Sequence, residues 1–190
     1  MQLRENLFYT HTGCCAYLLV DGNRAAAIDV GYRKHINQYI DLLKEAGNPE
    51  LLDIFLTHRD RDHAGAVDEL AKMTGARVYA HNSKRQGILK HLEAPIPDEY
   101  IPLNEGDELE IWGGCKVLYV PGHSPNQLAF YFYKESILFP GDALQIKRGK
   151  KVWAPWYLNS SHEQAKESFR RLDSLDVTDI YPGHRGPLNN

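Results

Sequence analysis

Long apolar runs are missing from this sequence: no window approaches the roughly 18 consecutive apolar residues that a membrane-spanning helix needs. Its start, MQLRENLFYT, is charged within the first five residues and has no apolar stretch of the kind that directs secretion. Cysteine is scarce. Cys14, Cys15 and Cys115 are odd in number and adjacent cysteines rarely bridge, which speaks against a disulfide framework and for a reducing, cytoplasmic setting. A strong excess of one charge is also absent. The net charge of −3 argues against a dedicated nucleic-acid binder, which usually carries a basic face. Without repeats, low-complexity tracts or a Ser/Gly linker, residues 1–190 read as one domain.

What is present is an ordinary globular composition, 43% hydrophobic and 25% charged, enough apolar material for a sizeable core. Strand-like runs occur at 15–20, 25–29, 51–56, 76–80, 115–120, 128–132, 136–139 and 178–181. D-G-N-R joins the first two as a hairpin. Ile36, Tyr39, Ile40 and Leu43 have helical spacing, stopped by Gly47 and Pro49. Val67, Leu70 and Ala71 mark a second helix ending near Gly75, and the capping box Ser161-x-x-Gln164 starts a third. Strands in hairpins and strands alternating with helices predict an α/β domain whose sheet faces are covered by helices. Cys14 and Cys15 fit a redox or metal pair, or small buried apolar residues on a strand, and the strand pattern favours the latter.

One stretch breaks the pattern. Directly after the apolar run L-L-D-I-F-L, six ionisable side chains follow one another from His58 to His63 in T-H-R-D-R-D-H-A-G. A salt-bridged turn accounts for such a stretch, but His58, Asp60 and Asp62 at period two with His63 adjoining is a metal-ligand composition. Arg59 and Arg61, pointing the other way, are expected to pair with acids such as Asp53 or Asp68. Three further polar residues sit at strand ends beside Pro-Gly: His123 in P-G-H-S, Asp142 in P-G-D and His184 in P-G-H. Singly, each histidine reads as a structural residue. Together with H-x-D-x-D-H they read as a metal centre.

This set resembles the metallo-β-lactamase-fold superfamily, with its H-x-H-x-D-H motif followed by distant His, Asp and His. The resemblance runs from Asp29 in A-I-D-V-G to His184. It implies a four-layer αββα sandwich of two mixed β-sheets with helices on both outer faces, and two divalent metal ions, zinc foremost, with iron or manganese as alternatives. By position, one ion takes His58, Asp60 and His123, the other takes Asp62, His63 and His184, and Asp142 bridges them. Asp29 would orient a ligating histidine from behind. The implied activity is hydrolysis of a thioester, lactone or related ester by a metal-bound hydroxide, with Asp62 orienting the nucleophile and shuttling its proton.

Position 60 departs from the family, being Asp where most members have His. Two divalent ions bring about +4, and Asp60, Asp62, Asp142 and a hydroxide remove about 4, whereas histidine at 60 leaves about +1. A near-neutral centre is a weaker Lewis acid, is less suited to phosphodiesters, and suits the harder manganese or iron better than a histidine at 60 would, with zinc still foremost. The acidic variant is similar to that of the flavodiiron branch, which makes a non-haem iron oxidoreductase or oxygenase the second reading and a non-catalytic metal-binding sensor the third. Glyoxalase II, a further similar branch, adds a helical domain that grips glutathione; the sequence ends six residues after His184, which counts against glutathione thioesters as substrates. Lys147, Arg148, Lys150 and Lys151, then Trp153, Trp156 and Tyr157, form either a cationic and aromatic lip for a small anionic substrate or a solvated hairpin tip on an aromatic base.

Overall fold

The computed structural model describes residues 1–186. The chain divides into two compact units, residues 1–80 with 91–102, and residues 81–90 with 103 onward. The first holds a seven-stranded sheet in chain order: β1 (Gln2–Arg4), β2 (Leu7–His11), β3 (Cys15–Asp21), β4 (Arg24–Ile28), β5 (Glu50–Phe55), β6 (Arg77–Ala80) and β7 (Ile101–Pro102). β1 to β4 form an antiparallel meander, with Asp21 opposite Arg24 at the expected hairpin. From β4 onward pairing is parallel. The switch falls where the connections lengthen, because parallel neighbours need a crossover. Helix α1 (Ile36–Glu45) fills the first crossover, and α2 (Arg61–Ala64) with α3 (Val67–Thr74) the second.

Apolar spacing on these helices has the predicted result. Tyr39, Leu42 and Leu43 of α1 and Val67 and Leu70 of α3 are buried in one cluster with Leu18, Ile54 and Val78. α3 stops at Gly75, which takes the left-handed φ of 75° that a helix C-terminus favours. β3 is buried along six of its seven residues, which explains its unbroken apolar run.

The second unit holds a mixed five-stranded sheet: β8 (Glu108–Leu109), β9 (Cys115–Tyr119), β10 (Leu128–Phe132), β11 (Ile137–Phe139) and a last strand, β14 (Asp179–Ile180), in the order β14-β11-β10-β9-β8. β12 (Gln145–Lys147) and β13 (Lys150–Val152) form a separate hairpin. Helix α4 (His162–Asp173) begins as predicted, with the Ser161 hydroxyl accepting from Gln164 N at 3.4 Å. Leu172 of α4 is buried with Leu118, Leu138 and Ile180. β1, β2, β7, β8 and α2 were not expected from the sequence. All are short, and the strands lie toward sheet edges, where apolar alternation is weak. Among the described residues no helix is long and apolar enough to cross a membrane.

Candidate metal centre

Parallel pairing of β4 and β5 brings Asp29 and Thr57 out at the same sheet edge, where Asp29 N donates to Phe55 O at 3.0 Å. Asp29 adopts a left-handed φ of 57°. Its buried carboxylate accepts from Thr57 N at 2.8 Å and Thr57 Oγ1 at 2.7 Å, and lies 2.7 Å from His63 Nδ1. The one hydroxyl proton of Thr57 goes to Asp29, so its oxygen accepts from His58 Nδ1, 3.0 Å away. Both imidazoles therefore carry their proton on Nδ1 and present a lone pair on Nε2, the form that binds a cation. Their ring centroids are 4.0 Å apart.

The turn after Thr57 supplies the acids. Asp60 caps α2 in extended conformation (φ −63°, ψ 146°), and His63 N and Ala64 N donate to its carbonyl at 2.9 and 2.8 Å. That single turn folds His63 back beside His58. Asp60 Oδ2 lies 3.8 Å from His58 Nε2, and Asp62 Oδ2 lies 4.0 Å from His63 Nε2.

The second unit builds its ligand set at one edge of its own sheet. β11 and β14 are parallel, so P-G-D and P-G-H leave side by side, tied by Gly183 N donating to Gly141 O at 2.9 Å. β9 runs against β10 and β10 against β11, which brings His123, after β9, to the same edge. Asp142 Oδ2 sits 3.5 Å from His123 Nε2 and 3.4 Å from His184 Nε2. Donors on one tetrahedral ion, with bonds near 2.1 Å, lie about 3.4 Å apart, so one carboxylate oxygen shared by two imidazoles fits a bridging role. The wider spacing in the first unit still keeps each carboxylate within one ion's reach of its histidine. The donor set, imidazole nitrogen with carboxylate oxygen, fits zinc, iron or manganese.

The His123 corner is held by α4. Ser161 N donates to Gly122 O at 2.9 Å, Ser160 N to His123 O at 3.1 Å, and Ser168 Oγ to Pro121 O at 2.7 Å. Gly122 has a φ of 134°, and a Cβ there would lie 2.1 Å from the backbone nitrogen of Ala165. Gly122→Ala is expected to push the corner off the helix and lower stability by about 3 kcal/mol, measured by urea denaturation.

One expectation needs correction. Arg59 and Arg61 do not pair with Asp53 or Asp68, because Arg77 Nε takes Asp53 at 2.7 Å and Lys72 takes Asp68 at 2.7 Å. Arg59 is instead buried with its guanidinium over the Tyr100 ring, and Arg61 Nε donates to Glu93 O. Cys14 is buried in the core of the first unit, as foreseen. Its sulfur has Asp29 and His63 donor atoms within 4.8 Å, and burial pushes the thiol up to about 12, keeping it protonated. Thr57 and Cys14 were missed as supports of the histidines. Thr57 had a signal, its place between a buried strand and His58. The cationic segment is a hairpin whose tip, Arg148 and Gly149, takes left-handed φ at both residues. Lys147, Arg148 and Lys150 are exposed there, Lys151 Nζ pairs with Asp173 at 3.2 Å, Trp153 packs on His162, and Trp156 is 72% exposed.

Comparison with known proteins agrees with these features. The profile of the Metallo-beta-lactamase superfamily matches residues 9–184. The chain is 32% identical over 173 residues to a hydroxyacylglutathione hydrolase of Pseudomonas putida (strain F1), covering 88% of this chain and 59% of that protein. A protein of the same name from Pelagibacter ubique is 29% identical, with 92% and 68% covered. The chain thus spans about 59% of the length of its Pseudomonas putida relatives. Among solved structures, TTHA1623 in a di-iron-bound form is 29% identical, with a TM-score of 0.75, covering 96% of this chain and 94% of that one. The metallo-beta-lactamase family protein TTHA1429 from Thermus thermophilus is 24% identical with a TM-score of 0.78, covering 98% and 75%. The fold class is accordingly α/β, the αββα type with two mixed β-sheets, and the chain belongs to the metallo-beta-lactamase superfamily.

Proposed function

We infer that this chain is a metal-dependent hydrolase of a thioester, lactone or related ester, built as one domain over residues 1–190 around a dinuclear centre. The observation that carries this is Asp142 Oδ2 at 3.5 and 3.4 Å from the Nε2 atoms of His123 and His184, which supports reading it as a bridging carboxylate. Similarity to proteins named hydroxyacylglutathione hydrolase supports thioesters as the first class to try. In this reading His58, Asp60 and His123 would hold one ion, Asp62, His63 and His184 the other, and Asp142 would serve both. Bound cations at such a centre lower the pKa of water and stabilise a developing oxyanion.

The chain's own groups do the rest. Asp29 and Thr57 hold the His58 and His63 rings with Nε2 outward. The Asp62 side chain, the more exposed of the loop's carboxylates, orients the attacking water and carries its proton toward the leaving group. Lys147 and Arg148 hold an anionic tail of the substrate, with Trp153 and Trp156 as its apolar wall. Charge reversal at Lys147 and Arg148 is expected to raise KM for an anionic substrate about tenfold while metal content stays unchanged. Three free cysteines suit a reducing compartment, the cytoplasm.

The deciding experiment couples metal quantification to an activity screen over thioesters, lactones and phosphodiesters. Two ions per chain with ester or thioester turnover is the expected result; a metal-free chain, or a metal-loaded one inert to all three classes, overturns the reading. A second reading, an iron-dependent oxidoreductase, is favoured by the acid at position 60 and by the di-iron-bound form of TTHA1623. Visible absorbance together with oxygen consumption in place of hydrolysis would establish it.

A further inference from the structure

Four contacts join the loop that carries His58, Asp60 and Asp62 to residues 93–100. Asp60 forms an isolated antiparallel bridge with Glu93. Ala94 N donates to Arg59 O at 2.7 Å, and Arg61 Nε donates to Glu93 O at 3.3 Å. The Arg59 guanidinium lies 4.8 Å from the centroid of the Tyr100 ring. Between these points Pro95 and Pro97 stiffen the backbone, and Ile96 and Tyr100 pack against the core of the first unit.

Two features exceed what packing alone requires. The bridge pairs with Asp60 itself, at the residue where the chain passes from extended backbone into α2, so it fixes the Cα–Cβ direction from which the carboxylate departs. Arg59 is also 4% exposed, and burying a guanidinium carries a desolvation cost that an apolar side chain of similar size would avoid.

We propose that residues 93–100 are a strap that positions Asp60 as a metal ligand, with the stack of Arg59 on Tyr100 as its clasp. This rests on the reading that His58 and Asp60 share an ion. Tyr100 is a positioning residue in this account, acting through Arg59 on Asp60.

The test compares wild type, Tyr100→Leu and Tyr100→Phe as full-length chains. Each is titrated with zinc and with manganese against a competing chelator, beside thermal melts of the metal-free proteins. Tyr100→Leu is expected to weaken one of the two ions by about 10–100-fold and leave the other unchanged. Its metal-free melting temperature stays near wild type, and Tyr100→Phe, which keeps the ring face, retains wild-type affinity. Should Tyr100→Leu not fold, Arg59→Met carries the same expectation. Wild-type affinity for both ions in the folded variant overturns the strap. Equal weakening by Leu and Phe, in step with lost melting temperature, reduces it to packing and also overturns it. A wild-type chain that takes up no metal removes the hydrolase reading first and the strap with it, which separates the two failures.

Discussion

Asp142→Asn is expected to lower turnover at least about a thousandfold and to leave the chain with one metal ion or none where the proposed centre gives wild type two. Its Oδ2 lies within 3.5 Å of both His123 Nε2 and His184 Nε2, so one oxygen adjoins two candidate ligands at once. An amide keeps the volume but loses the negative charge that lets one oxygen bind two cations. The stability response separates this from simple damage. Asp142 is 3% exposed, and a buried carboxylate is costly without a cation, so the metal-free variant should melt at or above the wild-type temperature. Added metal should then raise the melting temperature of wild type much more than that of the variant, because binding stabilises only the folded state that holds the ion. A variant that loads two ions and turns over normally would remove Asp142 from the centre.

Asp29→Ala is expected to produce the largest loss of stability, about 3–5 kcal/mol. The carboxylate accepts from Thr57 N, Thr57 Oγ1 and His63 Nδ1, and each buried donor left without a partner costs about 1–3 kcal/mol. The metal site should weaken as well. Without Asp29, Thr57 has no fixed direction for its hydroxyl proton, and neither histidine is held with Nε2 free, which predicts about 10–100-fold poorer metal affinity. Asp29→Asn keeps an acceptor and the volume, so it should recover most of the stability and only part of the affinity. Urea denaturation gives the first quantity and chelator competition the second. If Asp29→Ala lowers stability yet binds metal as wild type does, the carboxylate is structural alone.

Both predictions concern residues that stand out in the sequence, because a ligand motif is local. H-x-D-x-D-H is confined to one turn, and that turn follows from a strand running into a short helix. The Pro-Gly corners are legible for the same reason, since a strand end followed by Pro-Gly fixes where the next side chain emerges. Main helices and central strands were likewise readable, as at Tyr39 and Leu43, where helical spacing and burial coincide. Edge strands such as β1 and β8 were not, because exposure on both faces erases the alternation that marks a strand.

The sequence alone determined which side chains have metal-binding chemistry and the corner each occupies, because those choices depend on neighbours one to five positions away. Only the tertiary structure decided how they are held. Arg59 stacks on Tyr100 rather than pairing with Asp53, Thr57 passes the hold of Asp29 on to His58, and Cys14 comes to rest beside His63. Each of these contacts joins distant parts of the chain through sheet register and crossover packing. No period in the sequence encodes them, since they exist only once β3, β4 and β5 have aligned and the chain beyond α3 has folded back onto the ligand turn.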